Sequence, residues 1–302
     1  MKKNHLKKFM ALALTGAVLI AGFTGCAKNS TSTEKKKVGL VLSTLNNPFF
    51  VSMKEGAQKA ADKAGYTLIV ADSNNDASKE KSNVEDLLQQ GISVLIINPT
   101  DSDAVGSAIK LANDKKVPVI TVDRKANSGD VACYIASDNV KAGKMAADFI
   151  AQKLGNKGNI VELQGTPGAS ATNDRGKGFD EAVAAISGMK IVANQSANFD
   201  RQKGLDVMQN IMQSTPQFDA VFAQNDEMAL GAVKALAGKK VIVVGIDGGA
   251  DAQKAVQDGT MSATIAQQPD LMGSLAVENA GKLIAGQTVE KSIPVDLKLI
   301  TK

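Results

Sequence analysis

Histidine is almost absent from this 302-residue chain, because its one histidine, His5, lies in an N-terminal segment that we predict to be removed. A mature chain without histidine excludes Ser-His-Asp and Cys-His nucleophilic chemistry, and it lacks the commonest side-chain ligand of transition metals. Catalysis would therefore have to depend on carboxylates or lysines, and we expect no metal site.

Cysteine is equally scarce, with Cys26 and Cys133 as the only two. Because Cys26 is predicted to carry lipid, an exported form has no disulfide and depends on a large core. The roughly 265 residues after the leader and its tether are enough for two lobes, at about 100–200 residues per domain. Cys133, inside the run VACYI (131–135), is predicted to be a buried core thiol.

Net charge is also absent from the mature chain. The formal charge of +4 comes from 35 basic and 31 acidic residues, and four of the lysines precede residue 9. The remainder is neutral, so no basic face for nucleic acid is indicated. There is no phosphate-cradling loop and no complete dinucleotide fingerprint either.

The N-terminus has the pattern of a cleaved signal peptide. Lysines 2, 3, 7 and 8 precede an uncharged apolar stretch over residues 9–23, which is shorter than the about 20 residues of a spanning helix. Phe23-Thr24-Gly25-Cys26 resembles a lipobox with Phe in place of the usual Leu, although ordinary secretion with a chance cysteine is the alternative. We predict a lipoprotein signal over 1–26, lipid on Cys26 and a flexible polar tether over 27–37.

Beyond the tether, short apolar runs alternate with helical segments. Continuous apolar runs indicate strands covered on both faces, as in the parallel sheets of α/β domains. The runs are VGLVL (38–42), TLIVA (67–71), VLIIN (94–98), VPVITV (117–122), IVEL (160–163), AVFAQ (220–224) and VIVVGI (241–246). Their number exceeds one comfortable sheet.

Helix boundaries carry local signals. Pro48 is predicted at a first helical position, and Gly65, Gly91 and Gly155 at helix ends. Residues 100–103 (TDSD) are predicted to cap a helix over 104–115.

Polar side chains follow the apolar runs at the points where these stop. Ligands bind beyond the carboxyl ends of parallel strands, so two such sets in facing lobes would line a cleft. The residues are Ser43, Asp72, Ser73, Asn98, Asp123, Arg124, Gln164, Asn225, Asp226, Asp247 and Gln267.

Two adjacent aromatics, Phe49 and Phe50, begin the first helix in a chain without tryptophan. Core packing accounts for one of them. Adjacent helical residues point about 100° apart, so the other should face the strand ends, where a flat apolar ring suits the C–H face of a sugar.

Three charged positions are ambiguous from local sequence. Asp123-Arg124 offers an acceptor and a five-donor fork for hydroxyl groups, but alone such a pair is more often a surface salt bridge. Arg175 lies among small and polar residues, which by themselves favour a solvated helix face.

The segment DSNND (72–76) resembles half of a calcium loop, but Ala77 and Asn83 stand where glycine and glutamate are needed, so we interpret it as a strand end and turn.

Six segments together resemble the bacterial ribose-binding proteins. They are STLNNPFFVSMKEGAQKAADKAGY (43–66), INPTDSDAVG (97–106), VPVITVDR (117–124), IASDN (135–139), AQNDEMALGA (223–232) and PVDLKL (294–299). The resemblance runs from about Val38 to the C-terminus, with small length changes near Ser187 and Gly238.

The resemblance implies an α/β fold of two doubly wound parallel-sheet lobes, the type I periplasmic-binding fold. A three-segment hinge is expected near Ser137, Gln267 and Val295. The N-terminal lobe would combine 36–137 with 268–295, and the C-terminal lobe 138–267 with 296–302.

The resemblance also implies a ribose site drawn from both lobes. Its residues would be Ser43, Asn47, Phe49, Phe50, Asn98, Asp123 and Arg124, facing Arg175, Phe199, Asn225, Asp247 and Gln267. Two aspartates balance two arginines, which suits a neutral sugar better than a charged ligand. Ribose is favoured over a hexose.

The resemblance therefore implies a protein that is not an enzyme and needs no cofactor. Its expected function is capture of D-ribose or a similar neutral monosaccharide outside the cell membrane and delivery to an ABC permease, by a monomer that binds no nucleic acid. A chemosensory receptor subunit would share this site and differ only in its partner. A sugar-responsive repressor needs a DNA-binding headpiece where this chain has a leader. A hydrolase using Asp123 and Asp247 is disfavoured because nearby arginines should lower their pKa values.

Overall fold

The computed structural model describes residues 35–302, in which strands and helices alternate. The predicted signal peptide, Cys26 and the tether up to residue 34 lie outside this described part. Within it, no helix is long and apolar enough to cross a membrane. All seven predicted apolar runs form strands, which confirms the predicted α/β class.

The first sheet is entirely parallel and contains six strands. In spatial order these are β11 (Ser292–Pro294), β5 (Cys133–Ala136), β4 (Val119–Val122), β3 (Val94–Ile97), β1 (Lys37–Leu42) and β2 (Thr67–Asp72). Its faces are covered by α1 (Pro48–Ala64), α2 (Ala77–Gln89), α3 (Gly106–Asp114) and α9 (Pro269–Ile284). Cys133 is buried in β5 as predicted, and burial raises the pKa of its thiol.

The second sheet has the same winding, with one antiparallel edge strand. Its order is β12 (Lys298–Thr301), β10 (Ala263–Ala266), β9 (Ile242–Asp247), β8 (Ala220–Ala223), β6 (Gly158–Gln164) and β7 (Met189–Ser196). It is covered by α4 (Asn139–Leu154), α5 (Ser170–Ala184), α6 (Arg201–Ser214), α7 (Asp226–Leu236) and α8 (Ala250–Asp258). In both sheets the strand order reverses beside the first strand, and such switch points are where α/β sheets bind ligands.

Three segments connect the two sheets, namely those between β5 and α4, between β10 and α9, and between β11 and β12. Ser137 lies in the first, Gln267 in the second and Val295 in the third. The third segment lies against the end of β5, because the Val295 amide donates a hydrogen bond to the Ala136 carbonyl at 3.0 Å.

The helix that carries the predicted aromatic pair begins as its sequence indicates. The Asn47 side chain accepts a hydrogen bond from the Phe49 amide at 2.9 Å, and Pro48 occupies the first turn. Gly65 ends the helix with a φ of 73°, a conformation that glycine adopts without a steric penalty.

The helix predicted over 104–115 is two residues shorter at its start, because α3 begins at Gly106. The Asp101 carboxylate accepts hydrogen bonds from the amides of Asp103 and Ala104, each at 2.8 Å. The predicted capping residue therefore closes a separate turn before the helix. The helix itself starts after Val105, without a side-chain cap.

The carboxylates of the calcium-like segment accept hydrogen bonds from nearby main-chain amides. Asp72 accepts a hydrogen bond from the Asn74 amide, and Asp76 caps α2 through the amides of Ser78 and Lys79. These carboxylates are thus part of a turn and a helix start.

Candidate functional site

The carboxyl ends of the two sheets face one another across a small cavity. The segments that follow β1 and β4 line it from the first lobe. The second lobe contributes α5, the turn after β7 and the end of β9. The lining residues are Asn47, Phe49, Phe50, Asp123, Arg124, Ala171, Arg175, Phe199 and Asp247.

Aromatic rings form walls of this cavity on both lobes. The rings of Phe49 and Phe50 meet edge to face, with centroids 5.2 Å apart. Both line the cavity and both pack on the core of the first lobe, although one of them was expected to serve the core alone. The Phe199 ring belongs to the second lobe, and its centroid lies 5.4 Å from the guanidinium carbon of Arg124 in the first.

The Asp123-Arg124 pair is buried at the end of β4. Asp123 accepts a hydrogen bond from the Asn98 side-chain amide at 3.1 Å, and the Arg124 Nη1 group donates to the Pro99 carbonyl at 3.1 Å. Arg124 Nε lies 3.7 Å from Asp123 Oδ2. Asp123 has a φ of 60°, an uncommon conformation for a residue other than glycine. The reading of this pair as a surface salt bridge is therefore wrong.

Arg175 is also buried, with 3% of its surface exposed, so the solvated helix face favoured by its local sequence is wrong. Its Nε group donates to the Asn139 side chain at 2.8 Å and its Nη1 group to the Gln224 carbonyl at 2.6 Å. Nη1 also lies 3.9 Å from Asp247 Oδ1. The reason is packing between helices, because α5 lies directly against α4 and turns this side of the helix inward.

Eight of the twelve residues in the predicted set line the cavity. Three of the other four form hydrogen bonds with lining residues, and the fourth, Ser43, forms one with Asn98. The Gln267 side chain donates to Asp247 at 2.9 Å, and the Asn225 side chain donates to the Phe199 carbonyl at 3.2 Å. Asn98 donates to Asp123 and accepts from the Ser43 amide at 3.3 Å. Asn225 in addition caps α7.

Burial dominates the electrostatics of the site. Burial raises the pKa of Asp123 and raises that of Asp247 well above the usual value, while Arg124 and Arg175 oppose the rise. Burial likewise lowers the pKa of Arg124. The expectation that the arginines hold these carboxyl pKa values below their usual range is therefore wrong, because desolvation outweighs the attraction.

The site combines balanced charge with unused hydrogen-bonding capacity. Asp123 and Asp247 face Arg124 and Arg175, so the site holds as many acidic as basic side chains. Among the described residues, buried Ser43 Oγ, Arg124 Nε and Gln267 Oε1 have no hydrogen-bond partner. Unpaired buried polar atoms cost free energy, and hydroxyl groups of a ligand both donate and accept hydrogen bonds. The arrangement suits a small neutral polyol.

Sequence reasoning missed three residues of this region. Ala171 lines the cavity, while Asn139 and the Gln224 carbonyl hold Arg175. Asn139 ends the quoted segment IASDN, but a polar residue after a strand resembles any helix cap. Ala171 and a main-chain carbonyl have no distinctive side chain by which a sequence could mark them.

Two doubly wound lobes with a polar cavity between their strand ends define a ligand-binding protein of the two-lobed α/β type. A family model described as "Periplasmic binding protein domain" matches residues 38–288. The chain belongs to this family of periplasmic binding proteins. The relatives described below are binding proteins of transport systems and not enzymes.

The individual relatives are likewise named as binding proteins. The chain is 56% identical over 277 residues to the Ribose import binding protein RbsB of Salmonella typhimurium, covering 91% of this chain and 93% of the relative. It is 49% identical to the protein of the same name from Bacillus subtilis, covering 98% and 100%. An ABC transporter periplasmic solute binding protein of Actinobacillus succinogenes with bound D-allose superposes with a TM-score of 0.83 at 32% identity, covering 88% and 98%.

Proposed function

We propose that this protein captures D-ribose in the cavity between its lobes and delivers it to an ABC permease. The observation that carries the proposal is a buried cavity to which each lobe contributes an aromatic ring, an aspartate and an arginine. The identity to ribose import binding proteins over nearly the whole chain supports ribose as the ligand.

Each part of the cavity has a role in this proposal. Phe49 or Phe50 from the first lobe and Phe199 from the second stack on the apolar faces of the sugar ring. The other polar lining residues bond its hydroxyl groups, together with the amide and hydroxyl groups behind them. These residues are Asn47, Asp123, Arg124, Arg175 and Asp247, supported by Ser43, Asn98, Asn225 and Gln267.

The permease recognises the closed conformation of the two lobes. A sugar that touches residues of both lobes binds the closed form more tightly and so shifts the population toward it. The hinge consists of the three connections near Ser137, Gln267 and Val295. The N-terminal lobe comprises 36–137 and 268–295, the C-terminal lobe comprises 138–267 and 296–302, and the protein acts as a monomer.

Calorimetric titration of the mature protein tests this function. We expect saturable binding of ribose, weaker binding of arabinose, xylose, allose and galactose, and no binding of ribose 5-phosphate, whose charge would be buried unpaired. A protein that binds ribose no better than these competitors would contradict the assignment.

We further propose that lipid on Cys26 holds the protein at the outer face of the cell membrane. The support is the sequence of the predicted lipobox and tether, which lie outside the described residues. Cys26→Ser should release the protein into the soluble fraction while sugar binding stays intact, with the unchanged chain as the control. Fractionation that leaves the variant as membrane-associated as its parent would contradict the anchor.

A further inference from the structure

Each lobe contains one buried glutamate that does not line the cavity. Glu80 on α2 is 1% exposed and Glu162 on β6 is fully buried. Within residues 35–302 neither carboxylate forms an ion pair within 4.0 Å. A buried carboxylate is costly unless it is hydrogen-bonded, so the partners of these two groups indicate what they hold in place.

Glu80 holds the loop that carries the anchor of Arg124. Its Oε2 accepts a hydrogen bond from the Thr100 amide at 2.7 Å. The residue before Thr100 is Pro99, whose carbonyl accepts the Nη1 group of Arg124 at 3.1 Å. One peptide unit therefore lies between the carboxylate and the acceptor of the arginine.

Glu162 has the corresponding relation to Arg175. Its Oε1 accepts a hydrogen bond from the Gln224 side chain at 2.8 Å, and the Gln224 carbonyl accepts the Nη1 group of Arg175 at 2.6 Å. The other end of the Gln224 side chain accepts from the Gly165 amide at 2.9 Å. The carboxylate thus holds the side chain of the residue whose main-chain carbonyl accepts from the arginine.

We propose that Glu80 and Glu162 are a pair of positioning residues, one in each lobe, which orient Arg124 and Arg175 toward the sugar through Thr100 and Gln224. Neither glutamate contacts the ligand. This inference rests on the proposed function, because it gives these arginines their role in binding.

Each glutamate orients its arginine best in the ionised form. A carboxylate accepts a shorter and stronger hydrogen bond than a neutral acid does. Burial raises the pKa of both groups to about 7, so they change charge near neutral pH. The charged groups facing Glu80 are Arg124 and Asp101, and the one facing Glu162 is Asp180.

The side-chain Nε–H resonances of arginine provide a direct test. The chain has only three arginines, at positions 124, 175 and 201, so these signals are assigned by single Arg→Lys variants. Arg201 is partly exposed, pairs with Glu227 and Asp251, and serves as the internal control. Glu80→Gln and Glu162→Gln keep the shape of the side chain and remove its titration.

We expect the Arg124 and Arg175 signals to move with a midpoint near pH 7 in the unchanged protein. Glu80→Gln should remove this step from the Arg124 signal alone, and Glu162→Gln from the Arg175 signal alone. Asp123 and Asp247 also lie beside the arginines, and their titration should move the arginine signals in variant and parent alike. The difference between variant and parent therefore isolates the titration of the glutamate. A step that persists unchanged in both variants overturns the proposal.

Sugar binding provides the second readout. Above pH 7, each Gln variant should bind ribose about threefold to tenfold more weakly than its parent, and below pH 7 the difference should shrink. Glu85→Gln, an exposed position on the same helix as Glu80, is the control and should bind like the parent. Gln variants with the affinity and pH profile of the parent overturn the positioning role. Because the arginine signals need no sugar, a parent that binds no ribose contradicts the proposed function separately.

Discussion

Individual side chains in this cavity depend on a layer of residues behind them. Arg124 and Arg175 are each bonded to a main-chain carbonyl, and Asp123 and Asp247 are each bonded to a side-chain amide. Such supports restrict the charged groups to a few orientations before a ligand arrives, which lowers the entropic cost of binding.

The buried glutamates predict a pH dependence of stability. The pKa of Glu80 and of Glu162 rises from an ordinary 4.5 to about 7, so the folded state holds these protons more tightly than the unfolded chain does. The stabilisation is complete below pH 4.5 and is lost as the pH rises through about 7. Each shift corresponds to roughly 3 kcal/mol.

Glu80→Gln should therefore flatten the fall in the free energy of unfolding between pH 4.5 and about 7. Urea denaturation at several pH values measures this, with exposed Glu85→Gln as the matched control. A Glu80→Gln protein whose stability falls with pH as steeply as its parent's would show that this carboxyl does not titrate as the structure indicates.

At the scale of elements, the sequence predicted the central strands well and the peripheral ones poorly. All seven long apolar runs form strands, because buried parallel strands need continuous apolar sequence. Strands β5, β7, β10, β11 and β12 were not predicted. Of these, β7 is an edge strand in which buried and exposed residues mix, and β11 has three residues, so neither has a long apolar run.

The packing of α4 on α5 shows why Arg175 could not be located from its own neighbourhood. Gly143 on α4 lies against the main chain of Arg175 and Phe179, where an added Cβ would overlap the Arg175 carbonyl oxygen. This close approach brings α5 inward and buries the arginine. The contact joins residues far apart in sequence, so no local pattern reports it.

Gly143→Ala should consequently affect both stability and binding. The added methyl group forces the two helices apart, which we expect to cost about 1–3 kcal/mol of stability and to displace Arg175. Denaturation and ribose titration measure the two effects. Lys144→Ala, an exposed position on the same helix, is the control and should change stability by less than about 0.5 kcal/mol. A Gly143→Ala protein as stable as this control would contradict the close helix packing.

At the scale of the whole molecule, direct contacts between the lobes accompany the cavity. Ser102 of the first lobe donates its amide to the Gly168 carbonyl, and its hydroxyl accepts the Ser170 amide. Lys125 reaches the second lobe through Ser170 and through an ion pair with Asp174 at 3.0 Å. The described conformation is thus closed on this side.

The two-lobed fold was predictable from the sequence, whereas the burial of the charged side chains in the cavity was not. Strand ends and a family resemblance identified residues of both lobes. The pKa directions of Asp123 and Asp247 depend on how much water the closed lobes exclude, and that is a property of tertiary packing.

Ribose titration of Arg175→Ala measures whether both lobes bind the same neutral sugar. Loss of charge-assisted hydrogen bonds, commonly about 1.5–3 kcal/mol each, should weaken binding at least about tenfold. Arg201→Ala is the matched control, since Arg201 is partly exposed and pairs with Glu227 and Asp251 outside the cavity lining. Circular dichroism verifies that both variants fold. We expect a large loss of affinity for Arg175→Ala and a small one for Arg201→Ala. Equal, small losses for the two variants would contradict binding of the sugar by both lobes.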